Sequence, residues 1–275
     1  MANYTLADIK NLRELTGAGM MDVKSALEEA EGDQEKAIEI LRLKGMKSVA
    51  KREGRATSEG LVAAKISGNK GYLIELGAET DFVAKNEKFI ALGEQVLDAI
   101  VAAGAETLEA AQAAPVDGKT VEETVVDASA ILGEKLELRA VSVVTADHFE
   151  VYLHRTNKDL PPQLGVVFGY SGDNAEVARS IAQHISFAAP EVLNREDVSE
   201  EAVENERRIV TEISINEGKP ESQLPKIVEG RLNSFFKQVV LNEQEYALDN
   251  KLKVSQVVAN AGLTVQGFAR LRVGA

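Results

Sequence analysis

The chain has 275 residues, of which 44% are hydrophobic and 27% charged, a composition that is ordinary for a folded protein of about two domains. It contains no cysteine, which excludes disulfides, thiolate zinc sites and cysteine nucleophiles. The net charge of −13 lies in residues 57–275, because residues 1–56 carry ten basic and ten acidic side chains; such a body repels nucleic-acid backbones. No apolar run approaches the roughly 18 residues of a membrane span, and the N-terminus lacks a leader-like apolar stretch. We therefore expect a cytoplasmic protein without a membrane partner.

The first 45 residues predict three short helices. Apolar residues recur at helical spacing in each of them, beginning with Leu6, Ile9, Leu12 and Leu15 in the first. The expected caps are Thr5, Asp22 (as cap or as first-turn charge) and Asp33, and the expected ends are Gly17, Gly32 and Gly45. Such a small module could serve as a docking unit.

Two stretches of this region invite a nucleotide or RNA interpretation. The turn TGAGMM contains Gly17 and Gly19, but a dinucleotide-binding loop follows a strand, and here a helix precedes it. A tight turn that presents Met20 and Met21 is favoured instead. Residues 44–55 are basic but lack interleaved aromatic residues, which favours a solvated helix tail and linker over an RNA-binding patch.

Strands begin after this linker. The predicted elements are a hairpin of strands 61–66 and 72–76, a helix from Asn86 to Ala103, a loop over 104–119 with a short helix, a helix from the Thr120–Glu123 capping box through Ile131, strands 136–144, 149–154 and 165–170, and a helix from Asn174 to Ala189. The two strand–strand–helix stretches resemble each other as a weak internal repeat. Residues 171–173 join strand to helix in the second copy, whereas the longer connection 77–85 does so in the first. A duplicated scaffold needs no such extension in one copy only.

A pair of helices follows at 199–216 and 223–241, with Pro225 in the first turn of the second helix, where it is tolerated. That helix carries an apolar seam of coiled-coil spacing, namely Leu224, Val228, Leu232, Phe235 and Val239. The chain closes with a short helix near VSQVVANAG and a strand, TVQGFARLRV, that returns to the second sheet. The prediction is therefore an α+β protein with these units: a docking domain and linker (1–55), the first half of a core (56–144), its second half (145–198), a helical hairpin arm (199–242) and a return to the second half (243–275).

Sequence motifs of catalysis are absent. The three histidines, His148, His154 and His184, are scattered, and neither a metal-binding HExxH nor a phosphate-binding glycine loop occurs. We predict no catalytic residue, no resident metal and no cofactor; a carboxylate-only metal site stays open in so acidic a chain, but nothing singles one out.

Three motifs, TGAGMMDVK (16–24), TDFVAKN (80–86) and VEGRLNSFFK (228–237), resemble those of bacterial elongation factor Ts, in the same order over essentially the whole chain. This resemblance implies a guanine-nucleotide exchange factor for elongation factor Tu, in both its GDP-bound and nucleotide-free forms, and hence a protein that makes no bonds and is not an enzyme. It also implies a ubiquitin-associated-like three-helix domain, a core of two related α+β halves with small antiparallel sheets, and an inserted helical hairpin.

The resemblance further assigns roles to residues. Thr80, Asp81, Phe82 and Val83, here called the TDFV segment, would displace the Mg²⁺ ion of the partner. Without the resemblance, the residues favour another interpretation, in which Phe82 and Val83 are core residues of the helix and Asp81 is its N-cap. Partner contacts implied by matching positions are Lys24, Leu132, Gly133, His154, Ala247 and Leu248. At Ala247 and Leu248 this chain departs from the residues typical of the family.

Some relatives extend beyond the position of Gly274–Ala275 into a C-terminal helix, so we expect binding here to depend more on the N-terminal domain and the core. A homodimer through the hairpin stays open. Two alternatives to an exchange factor are an RNA- or ribosome-associated module that uses residues 44–55, and a carboxylate-based metal-dependent hydrolase. No specific nucleic-acid partner is expected, because the body is acidic.

Overall fold

The computed structural model describes residues 3–16 and 18–275. Three helices open the chain: α1 (Leu6–Thr16), α2 (Met20–Glu29) and α3 (Gln34–Ala50). Their common core buries Leu12, Val23 and Leu27. The predicted caps at Thr5 and Asp33 are confirmed, because their side chains accept hydrogen bonds from the N–H groups of Asp8 (3.2 Å) and Lys36 (3.1 Å).

Three details of this region differ from the prediction. The N-cap of α2 is Gly19 and not Asp22. Asp22 lies inside the first turn of the helix, where its negative charge is favourable. Leu6 and Leu15 are exposed. A helix has about 3.6 residues per turn, so side chains spaced three residues apart rotate progressively around it, and the first and last of the four apolar residues face away from the core. Gly17, the expected end of α1, lies outside the described residues.

Gly45 does not end the third helix, which continues to Ala50. A Cβ atom at Gly45 would lie only 2.7 Å from the Cβ of Ala130, in a helix of the core. The glycine therefore serves a close helix–helix approach, and tertiary packing overrides its usual role as a helix terminator.

The first half of the core has these elements in chain order: β1 (Glu59–Ser67), β2 (Lys70–Ala78), α4 (Asp81–Ala84), α5 (Glu87–Ala103), α6 (Leu108–Gln112), β3 (Pro115–Val116), β4 (Lys119–Thr120), α7 (Val121–Leu132) and β5 (Leu136–Thr145). Its sheet is antiparallel in the order β1-β2-β5, and α5 covers one face with Phe89, Val96 and Ile100. The capping box of Thr120 and Glu123 at the start of α7 is confirmed. The small β3–β4 hairpin, around Asp117 and Gly118, was not predicted.

The second half has these elements: β6 (His148–His154), β7 (Leu164–Ser171), α8 (Ala175–Ala188), α9 (Glu200–Asn216), α10 (Leu224–Val239), β8 (Glu245–Tyr246), β9 (Asp249–Lys253), α11 (Val254–Asn260) and β10 (Thr264–Arg272). Its sheet has the order β10-β7-β6, again antiparallel with the second strand of the half at the centre. The return of the last strand to this sheet is confirmed. Both halves thus follow the same strand–strand–helix–strand plan, and the α+β class is confirmed.

The two sheets pack face to face through a thin apolar layer that includes Val62, Leu73, Val144 and Val167. Glycines permit this approach: a Cβ at Gly71 would meet Val167 at 2.6 Å, and a Cβ at Gly165 would meet Val62 at 2.6 Å. The two sheets therefore pack closely at positions where only glycine leaves room for the side chain of the other sheet.

The helical hairpin consists of α9 and α10. Val210, Val228 and Leu232 form its small core, and Pro225 lies in the first turn of α10 as predicted. The predicted seam is partly wrong: Leu224 and Phe235 are only half-buried, and Phe236 packs against the hairpin core instead of Phe235. Among the described residues, no helix has the length and apolar character needed to cross a bilayer.

Candidate functional site

The TDFV segment forms a single helical turn between β2 and α5. Thr80 is its N-cap, and the Thr80 side chain accepts a hydrogen bond from the Val83 N–H at 3.4 Å. Val83 and Ala84 are buried in the core of the first half, so they anchor the turn. The turn is therefore part of the folded body and not a loose loop.

Phe82 points outward from this turn with 72% of its surface exposed. The interpretation of Phe82 as a core residue is wrong, whereas that of Val83 as one is confirmed. Adjacent positions in a helical turn point about 100° apart, so burial of Val83 directs Phe82 to solvent. The ammonium of Lys85 lies 4.4 Å from the centre of the Phe82 ring. The Phe82 ring is therefore held at the protein surface, where a partner can reach it.

Asp81 lies beside Phe82, and about half of its side chain (49%) is exposed. Its carboxylate is 3.4 Å from the Lys85 ammonium, an exposed pair that adds little stability. Asp81 is the first residue of α4 and not its N-cap, so that part of the alternative interpretation is wrong too. Its charge is thus available at the protein surface.

Two glutamates fix this region, Glu134 by bonding to the TDFV segment and Glu79 by tying the residue before it to neighbouring elements, and sequence reasoning did not identify them. Glu134 accepts hydrogen bonds from the N–H (3.0 Å) and the hydroxyl (2.6 Å) of Thr80. Glu79 accepts bonds from the Lys135 N–H (2.6 Å) and from the Arg55 guanidinium (2.9 Å). Burial raises the pKa of Glu79, but these two bonds and the positive charges of Arg55 and Arg52 together hold that pKa below the ordinary value. The side chain therefore stays ionised as a hydrogen-bond acceptor.

Leu132 and Gly133 are brought next to this site, because they directly precede Glu134 at the end of α7. Gly133 is the C-cap of α7, with a φ of 79° that favours glycine. The turn of the chain at Gly133 leads Glu134 toward Thr80. Two of the expected partner contacts and the TDFV segment thus share one edge of the first half.

The other expected contact residues lie on separate elements. Lys24 is on α2, exposed and 3.9 Å from Glu28. His154 ends β6 in the second half, where its Nδ1 is 3.2 Å from the Tyr152 hydroxyl. Ala247 and Leu248 form the exposed turn between β8 and β9.

The turn at Ala247 is supported by a buried histidine. His184, on α8, accepts a hydrogen bond from the Ala247 N–H at its Nδ1 (3.2 Å). Its Nε2 consequently carries the proton and donates it to the Gln244 Oε1 at 2.8 Å. Burial lowers the pKa of His184, and the bond with Gln244 reverses only part of that shift. His184 is therefore a structural residue that supports this turn.

Two basic residues of 44–55, Lys44 and Arg55, are engaged by acidic neighbours. Lys44 pairs with Glu29 at 2.8 Å, and Arg55 pairs with Glu79 at 2.9 Å. The side chain of Lys47 lies outside the described residues. Pairing of this kind reduces the positive charge available to a polyanion. In the part of the chain that the structure describes, no group of three or more histidine, aspartate or glutamate side chains is arranged to hold a metal ion.

Together, the paired antiparallel sheets, the three-helix unit and the helical hairpin define an α+β protein, and its TDFV segment presents an exposed phenylalanine on a fixed turn. A family model described as Elongation factor TS matches residues 79–275. Elongation factor Ts of Leifsonia xyli subsp. xyli is 66% identical over 276 residues, and that of Clavibacter michiganensis subsp. michiganensis is 65% identical over 275 residues. Elongation factor Ts of Kocuria rhizophila is 55% identical over 276 residues. Each of these alignments covers the whole of both chains.

The chain belongs to the elongation factor Ts family. It is thus a translation elongation factor, and the resemblance inferred from its three motifs is confirmed.

Proposed function

We propose that this protein promotes the release of GDP from elongation factor Tu, and so the loading of GTP, during translation in the cytoplasm. The observation that carries this proposal is the exposure of Phe82 and Asp81 on a turn anchored by Val83 and Ala84. The protein acts by binding and makes no covalent bond.

The two exposed side chains disturb different parts of the partner. GDP is held in a GTPase mainly by electrostatic contacts with its phosphates and with Mg²⁺. The Asp81 carboxylate rearranges the polar shell around the cation. Phe82 inserts into an apolar cleft, where leaving water contributes about 1.5–3 kcal/mol.

Phe82 alone is insufficient for a large acceleration. A thousandfold faster release requires about 4 kcal/mol, since each ~1.4 kcal/mol is a factor of ten. Asp81, with contacts at Leu132, Gly133 and His154, supplies the remainder. Thr80 and Val83 fix the shape of the TDFV segment.

The other units provide affinity in this proposal. Residues 1–55 dock on the partner through the α2 surface that includes Lys24, and Ala247 and Leu248 form a further contact. Residues 56–144 and 145–198, completed by 243–275, are the two core halves, and 199–242 form the arm. This division agrees with the separate apolar clusters of the three-helix unit, the two halves and the hairpin.

The experiment is stopped-flow release of fluorescent GDP from elongation factor Tu, with excess unlabelled nucleotide, at saturating concentrations of each variant. We expect the wild-type protein to accelerate release, Phe82→Ala to slow it markedly and Asp81→Ala to slow it less. The Asp81 effect should shrink when Mg²⁺ is chelated, because the cation it displaces is then absent. Full-speed release by the double variant would refute the role of the TDFV segment.

A further inference from the structure

The ends of β2 and β5 exchange side-chain hydrogen bonds just beyond their paired region. The ladder between these strands runs to the pair of Ala78 and Leu136. Immediately outside it, Glu79 accepts a bond from the Lys135 N–H, and Glu134 accepts a bond from the Thr80 N–H. The arrangement is reciprocal, since each strand end supplies one carboxylate and one backbone donor.

We propose that Glu134 is a positioning residue for nucleotide exchange, which holds Phe82 and Asp81 in the orientation that enters the partner. This inference rests on the exchange function proposed above. Glu134 does not itself touch the nucleotide or the cation in this proposal; it acts through Thr80.

The hydrogen bonds of Thr80 form a relay from Glu134 into the turn. The Thr80 hydroxyl donates its proton to Glu134 Oε1 at 2.6 Å, so its lone pairs face the Val83 N–H, from which it accepts. The cap of the turn is thereby fixed in direction by a carboxylate 54 residues away in sequence. Loss of Glu134 frees the hydroxyl to rotate and leaves the Thr80 N–H without this acceptor.

A single helical turn needs such external support. α4 has four residues, and helices this short do not persist in water by their own backbone bonds. Hydrogen bonds to an ionised carboxylate are stronger than those between neutral groups. Buried Val83 and Ala84 anchor one side of the turn, and Glu134 fixes its beginning. The direction of the exposed Phe82 depends on both.

The position of the bonds makes their effect local. They lie outside the β2–β5 ladder, so the sheet keeps its own backbone bonds when Glu134 is removed. The chain also offers a matched control at the opposite end of α7. There Glu123 accepts a bond from the Thr120 N–H at 2.9 Å, while the Thr120 hydroxyl accepts one from the Glu123 N–H at 3.1 Å. Glu123→Ala thus removes the carboxylate that accepts from the Thr120 N–H, without touching the TDFV segment.

The test compares Glu134→Ala, Glu134→Gln, Glu123→Ala and Phe82→Ala in the full-length protein. Labelled-GDP release from elongation factor Tu is measured over a range of factor concentrations, which separates the maximal rate from the half-saturating concentration. Amide hydrogen exchange of residues 80–84 is measured on the free protein, and thermal unfolding is recorded for each variant.

Glu134→Ala should lower the maximal release rate by about tenfold, because it removes two hydrogen bonds to a charged group. Its half-saturating concentration should change much less, and amide exchange at 80–84 should accelerate. Glu134→Gln should restore most of the rate, since its oxygen can accept from the Thr80 N–H and its amide can donate to the hydroxyl. Glu123→Ala should lower thermal stability while leaving maximal release unchanged.

Equal maximal rates for Glu134→Ala and Glu123→Ala, with Phe82→Ala slow, would overturn the positioning role alone. Faster amide exchange in Glu134→Ala without slower release would overturn it as well, and would leave Glu134 a purely structural residue. If Phe82→Ala released GDP at the wild-type rate, the proposed function and this inference would both fail. If Glu134→Ala failed to fold, Glu134→Gln would decide the question. A release rate that follows the protection of the amides at 80–84, with both retained or both lost, would support the proposal, and native protection with slow release, or lost protection with normal release, would overturn it.

Discussion

The two halves of the core use one plan but connect their central strand to their helix differently. In the second half, Gly172 and Asp173 lead directly from β7 to the Asn174 cap of α8. In the first half, the corresponding connection between β2 and α5 contains the whole TDFV turn. The sheet order and the antiparallel pairing are the same in both halves, so the longer connection is not required by the scaffold.

The difference shows how an exposed turn can be added to a fold without changing its core. The additional turn buries Val83 and Ala84 against the first sheet and directs Phe82 away from it. Its other attachments, Glu134 and Glu79, lie beyond the strand ladder. The extension therefore depends on the scaffold, whereas the scaffold's pairing does not depend on the extension.

The largest expected effect concerns the hairpin that the second half inserts after α8. Leu232 is 1% exposed and packs with Val210 and Val228, so Leu232→Ala should lower the free energy of unfolding by about 2–5 kcal/mol if the hairpin unfolds with the body. Chemical denaturation measures this loss. Ile213→Ala, a half-exposed position of the same hairpin, is the control and should cost far less. Unchanged stability in Leu232→Ala would mean that the hairpin is energetically separate from the second half.

The next effect compares one exposed phenylalanine from each half. Phe82 is 72% and Phe187 is 83% exposed, so replacement of either by alanine should cost little stability. Phe82→Ala should slow stimulated GDP release by about ten- to a hundredfold, the equivalent of the ~1.5–3 kcal/mol that a phenylalanine gains by leaving water. Phe187→Ala should leave the maximal rate unchanged. Equal slowing by both variants would show that general surface hydrophobicity, and not the TDFV turn, matters.

A smaller effect is expected from the three-helix unit that packs on the first half. Deletion of residues 1–55 should weaken binding to elongation factor Tu by about tenfold, or ~1.4 kcal/mol, through lost docking contacts. Release from the complex, once it is saturated, should stay close to the wild-type rate. Titration calorimetry gives the affinity, and circular dichroism checks that the truncated core is folded. Affinity equal to that of the full chain would contradict the docking role.

The smallest effect is a pH dependence that belongs to the second half. His184 is buried on α8, whereas the buried side chains of α5 in the first half are apolar. The pKa of His184 lies below its ordinary value of 6.5, so between those two values the unfolded chain binds more protons than the folded one. Its contribution to stability is therefore complete above pH 6.5 and decreases as the pH falls toward the folded-state pKa. Denaturation midpoints between pH 7.5 and 5 should lose this slope in His184→Gln; an identical slope in both proteins would refute it.

The sequence predicted the regular elements of both halves well, because strand alternation, apolar helix faces and cap residues are local signals. Thr120 with Glu123 and Asn86 before α5 are examples in which the cap residue determined the start of the helix. The hairpins β3–β4 and β8–β9 were missed because β3, β4 and β8 have only two residues each, and the five residues of β9 are polar except for Leu252 and show no alternation. The Asp117-Gly118 pair was nevertheless a hairpin signal that could have revealed the first of them.

The errors at the candidate site have a different cause. Thr80 and Asp81 are both good cap residues, and Phe82 and Val83 are both apolar, so local rules could not decide which caps and which is buried. The choice depends on Glu134, which is separated from Thr80 by 54 residues, and on the core beneath Val83. Gly45 is a similar case, since its meaning depends on Ala130 in another helix. Long-range contacts of this kind leave no periodic pattern in the sequence.

The glycine-lined layer between the two sheets has a consequence for how the protein unfolds. Gly71 and Gly165 let the two sheets pack so closely that each buries the inner face of the other. Neither half can unfold alone without exposing the shared apolar layer to water. The halves should therefore melt as one cooperative unit, although each repeats the same plan. Scanning calorimetry of the core should give a single transition whose van't Hoff and calorimetric enthalpies agree. Duplication of a motif has in this case produced one thermodynamic domain and not two.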